Sequence, residues 1–151
     1  MDRDIAKRVL DELCEIQATI HRPIPQGLPE MNDDEATRLK RVMGFAIGTI
    51  YINLMMPTIE RYPDLDPDRH NAAPATTAVP SDQARPTRAE FSQRLLRACK
   101  LASDRLEKLG QSVAAQQGQS EGTAFATKSA DAKRHLWELI DFARGLAAGH
   151  H

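Results

Sequence analysis

Between Arg41 and Glu60 the chain runs for eighteen residues, VMGFAIGTIYINLMMPTI, without one charged side chain. At roughly 100° per residue, Ala36, Leu39, Met43, Ala46, Ile47, Ile50 and Leu54 fall on one stripe of a helix. Phe45, Ile52 and Met56 point away from that stripe. A helix that is apolar all round is a central core helix, a partner interface or a membrane span. A span needs about 20 predominantly apolar residues. This run is shorter and contains Thr49, Asn53, Pro57 and Thr58, so no membrane span is expected. Gly44 and Gly48 lie four residues apart on one side, where they would admit a second helix at close range. Each costs the helix about 1 kcal/mol relative to alanine, which points to a packing reason. Gly44, Phe45, Gly48, Ile52 and Met56 are therefore the candidate partner-binding residues, the partner being another protein or a second copy of this chain.

Three more helices are legible. Ile5, Val9, Leu13, Ile16 and Ile20 mark a helix over 2–21, and Pro23, Pro25, Gly27 and Pro29 predict irregular chain after it. Asn32 is the expected N-cap of the uncharged helix, with Asp33, Asp34 and Glu35 at the positive end of its dipole. Pro57 should kink or end it. Thr87 and Glu90 predict a reciprocal capping box for a third helix. Its stripe is Phe91, Leu95, Ala98, Cys99, Ala102, Leu106, Leu109 and Val113. GQSEG, at 118–122, should break that helix. The fourth is expected to start between Thr123 and Ser129 and to bury Ala132, Leu136, Leu139, Ile140, Ala143 and Leu146.

Residues 63–87 differ in kind. Five of the nine prolines fall there among Ala, Thr and Ser, with Leu65 and Val79 as the larger aliphatics. So little apolar surface cannot offset the entropy of ordering, which predicts a flexible Pro/Ala-rich connection between helices 2 and 3. The expected fold is all-α: a four-helix bundle forming one domain over 1–149. His150 and His151 read as the start of a purification tag.

Charge and thiols narrow the function classes. The net charge of −1 excludes a polycation that coats nucleic acid. Charges throughout MDRDIAKRVLDELCEIQ leave no apolar core for a signal peptide, so a cytoplasmic location is expected. Cys14 and Cys99 sit in apolar helical patterns without metal-ligand spacing and read as reduced, buried thiols.

Chemistry-bearing constellations are few. Asp64, Asp66, Asp68 and His70 resemble the start of a calcium loop, but Arg69 stands at the required glycine and Ala75 at the bidentate acid. An exposed acidic turn is the expectation, with weak cation binding as the alternative. Asp131, His135 and Glu138 share one side of helix 4 and read as a solvated flank with a local His–carboxylate pair, with a metal ligand set or an acid/base pair as the alternative. No phosphate-binding loop, dinucleotide fingerprint or nucleophile elbow is present, and no residue set implies a cofactor or a resident metal.

Helix 3 carries Arg94, Arg97, Arg105 and Lys108 along one flank. That stripe suits an anion- or nucleic-acid-binding module, the alternative function. The principal expectation is a small non-catalytic helical protein acting through protein–protein interaction, as an adaptor, regulator or immunity/inhibitor-type protein. A homodimer through helix 2 is the simplest version.

Overall fold

Asp2 opens the first helix, α1 (Arg3–His21), by accepting the Ile5 N–H at 2.9 Å. This side-chain bond satisfies one of the amides that no preceding turn can reach. Helix α1 buries Ala6, Val9, Leu10, Leu13, Ile16 and Ile20, the expected stripe turned slightly toward Leu10. Coordinates come from a computed structural model that describes residues 2–27, 29, 31–67 and 87–148. A single turn, α2 (Ile24–Gly27), follows where irregular chain was expected. Proline is tolerated in a first turn, where its missing N–H has no partner to lose. Ile24 uses this turn to reach the core.

The uncharged segment forms one long rod in three parts. Helix α3 (Asp33–Ile50) starts at a full capping box: Asn32 accepts the Glu35 N–H at 2.8 Å, and Glu35 accepts the Asn32 N–H at 3.1 Å. A π-helical turn, Tyr51–Met55, then widens the helix immediately before Pro57. Proline removes an amide and crowds the carbonyl four residues back. Five-residue spacing relieves that crowding, so the chain passes Pro57 and continues as α4 (Met56–Arg61). The first residues of the expected linker are ordered on the bundle: Pro63–Leu65 is a 3₁₀ turn, Leu65 packs on the core, and Asp64 pairs with Arg3. The rest of that connection lies outside the described residues.

Helix α5 (Arg88–Gln117) is capped by Thr87, which accepts the Glu90 N–H at 3.2 Å. The predicted box forms only in part, because the Glu90 carboxylate takes the Thr87 hydroxyl at 3.1 Å. The next correction is larger. Helix α6 (Gln119–Ala148) begins one residue after α5 ends, well before the expected start. Gly118 alone makes the reversal, at φ 98° and ψ 163°, a region open to little except glycine. Gly122 then lets the two helices close, since a Cβ there would lie 2.3 Å from that of Ala114.

These elements make the expected all-α, four-helix bundle. Cross-links fix the neighbours. Gln17 Nε2 donates to the Ile47 carbonyl at 3.1 Å, joining α1 to α3. The Phe45 and His135 rings lie 5.5 Å apart, joining α3 to α6. Ser92 donates to the Ala143 carbonyl between α5 and α6, and Arg105 donates to Glu12 at 2.7 Å between α5 and α1. Around the bundle the order is α1, α3, α6, α5, each antiparallel to its neighbours, with α3 and α5 parallel on one diagonal. That diagonal is closed at one end by an ion pair. Glu35, 3% exposed, is gripped by both terminal nitrogens of Arg88, and Arg88 Nε donates to the Leu146 carbonyl at 3.3 Å.

Breaking this pair should be expensive. Arg88→Met leaves a buried carboxylate without its cation and should cost about 3 kcal/mol, the low end for such pairs because Arg88 keeps a third of its side chain in water. The double variant E35Q/R88M should recover much of that loss in urea unfolding. Gly118→Ala should cost about 1–3 kcal/mol by the same measurement, with the folded helix content unchanged.

Candidate functional site

Helix α3 is covered on one side only. Leu39, Ala46, Ile50, Leu54 and Met55 are buried against α1 and α6, whereas Met43 and Ile47 are half-buried. On the outer side Phe45 is 52% exposed and Ile52 61%, with Met56 also in water. A Cβ added at Gly44 or Gly48 would meet nothing within 4 Å among the described residues. The structure thus gathers all five predicted partner-binding residues on one open face, and among the described residues no helix approaches the glycines.

Asp33–Arg61 is, by length and composition alone, long and apolar enough to cross a membrane, with a mean hydropathy of 1.5 over its most apolar window. Only 22% of that window is buried inside the fold. The flanking helices are not lipid-compatible: Lys128 lies beside Asn53, and Asp131 pairs with Arg134 at 3.6 Å on the exposed side of α6. A bilayer around α3 would have to cover those charges too.

At the rim of the α3 face stands His135, which is far from a solvated residue. Its side chain is 16% exposed beneath Phe45, with Nδ1 3.5 Å from Glu138 Oε1. Asp131 turns to Arg134 instead, so the three residues do not converge as an acid/base set. Asp64 is committed to Arg3, while Asp68 and His70 lie outside the described residues. Among the described residues no three His, Cys, Asp or Glu side chains come together as a metal site.

The basic stripe on α5 divides. Arg105 is taken by Glu12 at 2.7 and 3.2 Å and approaches Glu15 at 3.9 Å. Lys108 is exposed further along the helix. Arg94 and Arg97 instead line an open groove against α1, where Arg22 joins them. Reading α5 by itself missed Arg22, because the groove exists only once α1 is laid against α5. Trp137, 54% exposed, lies two residues beyond His135 and so on another side of α6 from the α3 face.

No family model, curated protein or solved structure matches this chain, so its chemistry is read from the site itself.

The thiols differ in environment. Cys14 is half-buried beside a cavity of about 530 Å³ lined also by Arg3, Lys7 and Asp64. Cys99 is fully buried, and burial pushes its thiol up to about 12 from 9.0. Alkylation at pH 8 followed by mass spectrometry should label Cys14 well before Cys99. Stability should also fall between pH 9 and 12, where the unfolded chain releases the Cys99 proton and the folded chain retains it.

Proposed function

We propose that this is a non-catalytic cytoplasmic protein that acts through protein–protein contact at the outer face of α3, and that the first occupant of that face is a second copy of the chain. The observation that carries the reading is the exposure of Phe45, Ile52 and Met56 around two bare glycines, within a run of eighteen residues that carries no charge. Scattered apolar residues on a surface are ordinary; a contiguous row on one helix marks an interface.

Spacing, register, charge and the glycines favour self-association. Arg41, Phe45, Gly48, Ile52 and Met56 follow steps of three and four, the spacing of a helix–helix seam. An antiparallel pair of α3 helices crossing near Gly48 sets Phe45 of each copy opposite Ile52 of the other. The same register brings the acidic first turn, Asp33 and Asp34, toward Arg61 of the second copy. Opposed helix dipoles are then also side by side. Glycines at the crossing allow the two backbones to approach more closely than larger residues would.

Light scattering on a sizing column should give twice the chain mass, and the dimer should persist at about 1 M salt, where exposed charge pairs are screened. Ile52→Asp should give a monomer with unchanged circular dichroism, since Ile52 is 61% exposed; Phe45→Asp should also give a monomer, with some loss of stability because Phe45 packs on His135. A wild-type monomer at micromolar concentration would reject self-association. Co-flotation with neutral vesicles would assign the face to lipid instead.

A further inference from the structure

The end of α1 and the first half of α5 enclose an open groove of about 360 Å³, lined by Thr19, Arg22, Pro23, Arg94, Arg97, Ala98 and Leu101. We propose that this groove binds a small amphiphilic carboxylate: an anionic head held by the arginines, with an aliphatic body lying on Leu101, Ala98 and Pro23. It lies across α5 and α1, away from the outer face of α3, and does not depend on the proposed dimer.

The geometry supplies both halves of such a ligand site. Arg22, at the end of α1, and Arg94 and Arg97 of α5 line the same groove, and their positive charge favours an anion there. Arg22 has a local partner in Glu15 at 3.0 Å, but the Arg22 side chain is 68% exposed and that of Glu15 44%, so the pair is weak and open to exchange. Planar guanidinium groups favour planar carboxylates, which they hold through paired N–H donors. Between the arginines the surface is apolar. Leu101 is 49% exposed, one of the few large aliphatic side chains left in water, and it sits four residues beyond Arg97 and so on the same side of α5. Thr19 is already satisfied by the Glu15 carbonyl at 2.8 Å and adds no unmet donor.

A bare phosphate would use the arginines and leave the apolar strip uncovered. A nucleic acid would favour aromatic stacking partners, and among the described residues none lines this groove. The size is at the lower end for small-molecule sites, which suits a medium-chain acid rather than a bulky cofactor.

The test titrates the full chain with octanoate, octanol, acetate and a short single-stranded oligonucleotide, using ligand-observed NMR. Octanoate should bind, and octanol and acetate should each bind at least about tenfold more weakly, because each lacks one half of the recognition. Arg94→Glu combined with Arg97→Glu should reduce octanoate binding by a similar factor. So should Leu101→Asp, with both variants retaining the wild-type melting temperature within a few degrees. Equal binding of octanol would discard the arginines' role. Equal binding of acetate would discard the apolar body. Binding of the oligonucleotide without octanoate would assign the groove to nucleic acid, and unchanged octanoate binding in either variant would place the acid elsewhere.

Discussion

The Glu35–Arg88 pair holds the architecture together at a single corner. Glu35 belongs to the capping box of α3, Arg88 is the first residue of α5, and Arg88 also reaches the carbonyl of Leu146 near the end of α6. Three helix ends are therefore fixed by two side chains. A carboxylate that is 3% exposed must keep its cation. This sets α3 and α5 in parallel on the diagonal, and α1 and α6 fill the two remaining corners. The far end is tied more loosely, by the exposed contact between Arg3 and Asp64.

Much of this was legible in the sequence because helical periodicity is a local signal. The stripes of α1 and α5 pack nearly as their spacing indicates, and Asn32 caps α3 as expected. What was not legible depends on a second element. Glu35 reads as an acid suited to a helix dipole, and nothing in its neighbourhood names an arginine 53 residues away. Phe142 lies outside the predicted stripe of α6 yet joins the buried core, with the Arg38 guanidinium of α3 5.9 Å from its ring centre. Gly118 was read with its neighbours as a five-residue break, whereas one left-handed residue suffices when Gly122 allows the helices to touch.

The candidate site divides along the same line. Periodicity alone separated the inner residues of α3 from Phe45, Ile52 and Met56, and packing leaves those three in water. The π turn could not be foreseen from composition, although Pro57 announced that something must give. Its effect is to keep the apolar rod continuous through Met56 and Arg61 rather than ending it in mid-face. On α5 the basic row looked uniform, but Glu12 of α1 removes Arg105 from it and Arg22 extends the remainder into a groove. Charge patterns on one helix thus gain meaning only from the helix beside it.

The one-residue turn at Gly118 also sets the order in which this chain can assemble. Closing α5 on α6 needs almost no loop entropy, because the two thirty-residue helices are joined by a single residue. Their contacts begin a few residues apart in sequence and extend outward like a zipper. The diagonal pairing of Glu35 with Arg88 must instead bring together groups separated by 53 residues. Low-separation contacts form first in small domains, so the α5–α6 hairpin is the natural template on which α1 and α3 dock. In a chain emerging from the ribosome, that template appears after α1 and α3. Until α6 has been made, the apolar rod of α3 therefore has α1 alone, of its two neighbours, to cover its inner face.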